Sequence, residues 1–214
     1  MAKGKPLKAF MRWLWLDRIL ELDKAKRCVA IRNVTAAEDV LHDHFAPAAG
    51  ITPGMSPGMS PGTESAEPAF GFHGGPTGCV PNARHPAYPV MPNSLIIEGF
   101  AQTAGILTGH ANDFNEKVIL AKIGKATFTG LCATPGTTLR HTAEIVSLDE
   151  RGSSTRGVVE LIDPADPAAD PRPFAEIEMM FSHIDQNMQG LAFPKENFVF
   201  TDQFMDLLAR SGVT

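Results

Sequence analysis

The chain has 214 residues, of which 43% are apolar and 20% charged, with a formal net charge of −5; these are the proportions of a soluble globular protein with room for one sizeable core. The acidic balance offers no basic surface for nucleic acid and no general attraction to anionic lipid. Three cysteines, Cys28, Cys79 and Cys132, lie far apart with no CxxC pair, a pattern that suggests a reducing compartment and no disulfide framework.

The N-terminus, MAKGKPLKAFMRWLWLDR, is basic and then apolar in the manner of a signal peptide. Arg12 and Asp17 nevertheless bracket an apolar run of only four residues, and no small-residue cleavage site follows. No apolar stretch approaches the roughly 18 residues that a membrane span needs, so a cytoplasmic protein with no membrane span is expected. From Trp13 to Val34, apolar residues flank the polar Asp23-Lys24-Ala25-Lys26, which predicts two strands about a turn. Leu14 to Leu22 taken alone also fits a helix.

Residues 46–85 differ from the rest. The repeat TPGMSPGMSPGT and the following GFHGGPTGCVPN are too rich in proline and glycine for core strand or helix. The segment reads as an insertion, a lid or a surface loop. Pro92-Asn93-Ser94 then opens LIIEGFAQTAGILTGH, a helix for which Asn93 or Ser94 is the expected cap. Up to His110 its polar side chains are few: Glu98, Gln102 and two threonines. A helix apolar all round is normally buried, here as a central helix wrapped by sheet.

Four strand-like pieces follow, Val118–Phe128, Thr137–Asp149, Ser154–Asp163 and Pro173–Ile184, separated by turn-rich connectors. The tail, residues 185–214, ends in DQFMDLLARSG, which predicts a short helix stopped at Gly212. Strands, one buried helix and then an antiparallel run of strands make an α+β plan, with residues 1–214 forming one domain.

Glu98 is the first candidate for chemistry. A carboxylate in an apolar setting has its charged form disfavoured and can serve as a general acid. Gln102, one turn on and on the same face, is placed to orient it. A structural Glu–Gln pair, or a helix edge where Glu98 reaches water, is the alternative that these residues leave open.

YPVMPNSLIIEGFAQTAGIL closely resembles the signature of the 3-hydroxyacyl-acyl-carrier-protein dehydratases of fatty-acid synthesis, HFPGxPVMPGVLxxEAxAQ. The similarity extends upstream through DRILELDKAKRCVAIRNVT and downstream through LAKIGKATF and ATPGTTL to AEIEMMFS. The resemblance implies a hotdog fold, an antiparallel sheet wrapped around one long helix. It also implies a catalytic histidine paired with the helix acid, no cofactor and no metal. The PVMP register places that histidine at Arg84, which is no base; His85 is one position off and is held in reserve. The upstream register is better: Asn33-Val34-Thr35 leads to Asp43-His44-Phe45, so His44 matches. His44 and Glu98 are 54 residues apart, far more than in the family, and the insertion therefore falls directly after Phe45. His42 and His44 alternate as a metal pair would, but no third-ligand motif accompanies them. His73, His110, His141 and His183 match nothing in the family and are expected at the surface or satisfied.

The implied chemistry is loss of water from a 3-hydroxyacyl thioester, with His44 taking the α-proton and Glu98 protonating the departing hydroxyl. The backbone N–H of Asn93 serves the thioester oxygen at the helix N-terminus. Asn93 stands where the family has glycine and Ser94 where it has an apolar residue, so the carbonyl site is more crowded. Phe45, Met91, Pro92, Leu95 and Phe100 are candidates for an acyl tunnel or an interface. Family members resembling this chain pair edge to edge as dimers or trimers of dimers, and the expected partner is an acyl carrier protein. Lys122, Lys125 and Arg84 are the basic residues available to dock it. A thioesterase, a dehydratase that also isomerises the new double bond, and a non-catalytic acyl-chain binder are the competing readings.

Overall fold

The computed structural model describes residues 13–42, 89–184 and 199–213. Strand β1 (Arg18–Asp23) turns at Lys24–Lys26 into β2 (Arg27–Asn33), and a single helical turn, α1 (Asp39–His42), follows. The central helix α2 (Asn93–Ala111) comes next, then β3 (Lys117–Phe128), β4 (Thr138–Asp149), β5 (Gly152–Ile162), β6 (Arg172–Ile184) and helix α3 (Asp202–Ser211). All six strands form one antiparallel sheet in the order β1-β2-β4-β5-β6-β3. Leu14 to Leu22 therefore contributes a strand and no helix, because its alternation is used: Ile19 is fully buried while Leu20 stands half exposed.

The sheet curls around α2, which touches five of its strands. Inward residues line up across strands. Cys28, Ala143, Gly157 and Ile177 form one row, and Ala30, His141, Val159 and Ala175 the next. The first row is small in its middle, and the fully buried Phe100 of α2 sits against it. A Cβ on Gly157 would lie 2.8 Å from the Phe100 ring and overlap the carbonyl oxygen of Thr142. In the second row the bulk is reversed: the sheet supplies His141 and the helix supplies Gly99, with 3.0 Å from a would-be Cβ to the imidazole. Sheet and helix thus interlock by exchanging a large residue for none, and interiors packed to this density do not tolerate an added methyl. Gly157→Ala is expected to destabilise the chain by about 2–3 kcal/mol, read as a lower urea midpoint with unchanged slope.

The helix begins differently from the expectation. Asn93 is its first residue, Pro92 occupies the N-cap, and no side chain caps it. Proline at that position cannot cap with a side chain; Leu95 N–H turns to the Pro92 carbonyl at 3.0 Å, and no side chain caps the N–H groups of Asn93 and Ser94. At the other end, helix α3 runs to Gly212, in the left-handed conformation at φ 69°. It covers the outer edge of β1, where Ile19 N–H donates to Ser211 Oγ at 3.0 Å. Phe200 and Phe204, just before and within α3, close the C-terminal end of α2 against Phe114. The far edge of the sheet is β3, exposed continuously from Leu120 to Thr127.

Cys28 is a free thiol buried between strands, its pKa pushed up to about 12 by burial and by Glu21. No helix among the described residues is long and apolar enough to cross a membrane.

Candidate active site

The second turn of α2 carries the one carboxyl of the central helix. Glu98 is half-buried, between the buried acid and the water-reaching helix edge that the sequence left open. It stands near the end of α2 at which Pro92, Asn93 and Ser94 are exposed, before the helix enters the sheet. Its Oε1 accepts a hydrogen bond from Gln102 Nε2 at 2.9 Å, the i,i+4 partnership that one helical turn allows.

Gln102 is itself held from outside the helix. Its Nε2 also donates to the carbonyl of Trp13 at 2.8 Å, and its Oε1 accepts from the backbone N–H of Trp15 at 2.8 Å. The Trp15 N–H requires an oxygen opposite it, so the amide group can turn only one way, with its NH₂ toward Trp13 and Glu98. Glu98 Oε2 takes no part in these bonds. Nothing in the apolar pattern of WLWL marks its backbone as the clamp on Gln102, and sequence reasoning missed it. The hint was that an isolated glutamine in a buried helix must find two donors' worth of partners.

Around this clamp lie further polar groups. The Arg32 guanidinium sits 5.2 Å from the centre of the Trp15 ring and reaches Asp17 and Glu38, both at 2.9 Å. His141, expected at the surface or satisfied, is neither: it is 1% exposed and its Nδ1 has no hydrogen-bond partner. Strand alternation could have found it, since Leu139, His141 and Ala143 share the inward face. Burial, and secondarily the nearby charge of Arg32, lowers its pKa from 6.5 to about 3, so it is neutral at pH 7. His110, near the far end of α2, is also held below its usual range, by burial and by Lys24. His183 is 95% enclosed, with Nδ1 2.7 Å from Glu116 Oε2. Among the described residues no cluster of three metal-binding side chains occurs.

The remaining candidates are placed as follows. Asn93 and Pro92 are exposed at the start of α2, Leu95 is half-buried beside them, and Met91 and Phe100 are packed into the core at 2% and 0% exposure. Lys122 and Lys125 are exposed on β3, Lys125 at 3.5 Å from Glu176. His44, Phe45, Arg84, His85 and the insertion at 46–85 lie outside the described residues, as does His73. The structure therefore brings together Glu98, Gln102 and the exposed helix N-terminus, about 7.5 Å apart from Asn93 to Glu98 at the rise of an α-helix.

A curled antiparallel sheet around one central helix, with a held carboxyl in the helix's second turn, defines a hotdog-fold protein. A FabA-like domain model matches residues 83–161. The 3-hydroxyacyl-acyl-carrier-protein dehydratase FabZ of Desulforamulus reducens is 29% identical over 79% of this chain and 86% of its own length. That of Geotalea uraniireducens is 30% identical over 47% of this chain, and the match spans 42% of its length. Among solved structures, the dehydratase heterocomplex ApeI:P from Xenorhabdus doucetiae superposes with a TM-score of 0.48 at 12% identity, covering 81% of this chain and 85% of that one. By the family model and by these relatives, the chain is similar to the 3-hydroxyacyl-acyl-carrier-protein dehydratases.

Proposed function

We propose that the protein removes water from 3-hydroxyacyl thioesters to give trans-2-enoyl thioesters, as an enzyme of fatty-acid synthesis acting on carrier-bound chains. The observation that carries this reading is the Glu98 carboxyl. It is fixed at Oε1 by Gln102 at 2.9 Å, with no bond to Oε2 among the described residues, and stands about one and a half turns from the exposed residues that start the helix.

The two ends of that arrangement suit the two ends of the reacting unit. The thioester carbonyl lies at the helix N-terminus, where the Asn93 N–H and the helix dipole favour the negative charge that develops on its oxygen. The C3 hydroxyl lies against Glu98. His44 takes the proton from Cα and the C3–O bond breaks. Glu98 delivers its proton to the departing oxygen, which leaves as water. The proton held by His44 is then released, and Glu98 is reprotonated for the next turnover. No cofactor or metal enters this scheme. The acyl chain leaves the site past Pro92 and Leu95, over the core formed by Met91 and Phe100. Phe45 is proposed to flank it, and the insertion at 46–85 to cover the mouth.

We further read the exposed β3 edge as the place where a second copy pairs. It is a 12-residue strand with its flank open among the described residues and with Leu120 and Ile123 about 40% exposed. Such an edge invites a partner strand, whereas β1, at the other edge, is short and covered by α3. A dimer or trimer of dimers follows, with Lys122 and Lys125 near the seam to meet an acidic carrier protein.

The test is hydration of an enoyl thioester, followed as loss of the conjugated absorbance, with thiol release measured in parallel. Hydration without thiol release supports a dehydratase. Thiol release without hydration supports a thioesterase on the same fold, and neither reaction supports a non-catalytic acyl binder. A 3-enoyl product would add isomerisation. Sedimentation of the same preparation is expected to show a dimer or hexamer and no monomer.

A further inference from the structure

Residues 13–16, which hold Gln102, belong to no strand or helix. Their backbone groups at Trp13 and Trp15 are used by Gln102, not by a ladder that would fix their position. Two anchors are visible. Leu16 is buried at 2% exposure, and the Trp15 ring lies under the Arg32 guanidinium. Arg32 is in turn immobilised. Its Nη1 meets Asp17 and its Nη2 meets Glu38, and its side chain is only 17% exposed. Both carboxylates are pinned from behind. Asp17 Oδ2 accepts from the backbone and side-chain nitrogens of Asn33 at 2.6 and 3.0 Å, and Glu38 Oε1 accepts from Thr35 N–H at 3.3 Å.

We propose that Arg32 is a positioning residue for Glu98. Locked between Asp17 and Glu38, it holds the Trp15 ring, and through the Trp13–Trp15 backbone and Gln102 it sets the direction in which the carboxyl faces. The assignment rests on the dehydratase reading above for its consequence in turnover, but the coupling itself is a property of the fold. A planar guanidinium can stack on an indole and fork to two carboxylates at once; a lysine ammonium can do only one of these well. A shift of the 13–15 backbone removes the acceptor and donor that fix the Gln102 amide, and Glu98 then loses its only oriented partner among the bonds described above.

Arg32→Lys, in the full-length chain and shown to be folded by its thermal transition, is expected to lower kcat for enoyl-thioester hydration about tenfold while KM changes less than about twofold. Gln102→Ala is expected to cost about the same, and the double variant no more than the worse single one, because both act through one carboxyl. Glu38→Gln loosens Arg32 without removing it and carries the same cycle if Arg32→Lys does not fold. An unchanged kcat in Arg32→Lys, or losses that multiply in the double variant, overturns the assignment, since a merely structural arginine would add its effect independently. If the unaltered chain shows no hydration, the dehydratase reading fails and Arg32 is judged on fluorescence. The only two tryptophans of the chain, Trp13 and Trp15, both stand at this junction. Emission shifts in Arg32→Lys and Gln102→Ala that do not sum in the double variant support the coupling, and shifts that sum overturn it.

Discussion

Glu98→Gln is expected to reduce turnover of 3-hydroxyacyl and enoyl thioesters by about 10²–10⁴-fold, the range that a positioned general acid supplies. Shape is almost conserved: a carboxamide oxygen can still accept from Gln102 Nε2, now at 2.9 Å, so the stability change should stay within about 1 kcal/mol. What the amide cannot do is release a proton to the leaving oxygen. The loss should therefore fall on kcat, with substrate binding largely kept. His44→Ala is expected to cost a comparable factor, and His85→Ala to leave the rate unchanged. A Glu98→Gln variant with ordinary kcat would mean that the Glu98–Gln102 pair is only a structural tie, the alternative its residues permit. A His85→Ala variant that loses activity while His44→Ala does not would move the base to the other end of the insertion.

The strands downstream of the helix were legible to within a residue or two, because alternation survives on a sheet with one face against a helix. The central helix was legible for the opposite reason: it has no polar face, so only burial explains it. The start of that helix was not. Asn93 and Ser94 are good capping residues, but Pro92 takes the cap position and they fall inside the first turn, a one-residue difference that propensity does not decide. The clamp on Gln102 was invisible because it uses backbone atoms of Trp13 and Trp15, and backbone groups carry no residue signature. Arg32 drew no notice in the sequence, since a stack on Trp15 and a fork to Asp17 and Glu38 require knowing that β2 lies beside the segment before β1. His141 was set aside for want of a family match, although its inward place in an alternating strand, between Leu139 and Ala143, was already written in the chain.

Acid should destabilise this protein through His141 more than through His110. The imidazole is 1% exposed, has no hydrogen bond at Nδ1, and has a folded pKa near 3 against 6.5 when unfolded. Between those values the unfolded chain binds a proton that the folded chain does not. Stability is thus full above about pH 6.5 and falls as the pH drops toward 3; below that the loss is complete, on the order of 4–5 kcal/mol. The facing groups explain the direction. Ala30, Val159 and Gly99 pack around the ring without charge, and the charge that acts on it, Arg32, is positive, so among the described groups around the ring no carboxylate meets an imidazolium. His110 has a shift of the same sign but is more open to solvent. The measurement is the urea midpoint at pH 7 and pH 5 for the unaltered chain and for His141→Leu. From pH 7 to pH 5 the unaltered chain should lose about 2 kcal/mol more than the variant. Leucine fits the pocket opposite Gly99 without a proton to bind, so it should cost some stability at pH 7 and flatten the acid limb. Equal losses in both chains would show that the folded ring takes up a proton as readily as the unfolded one, and that burial of His141 carries no acid sensitivity.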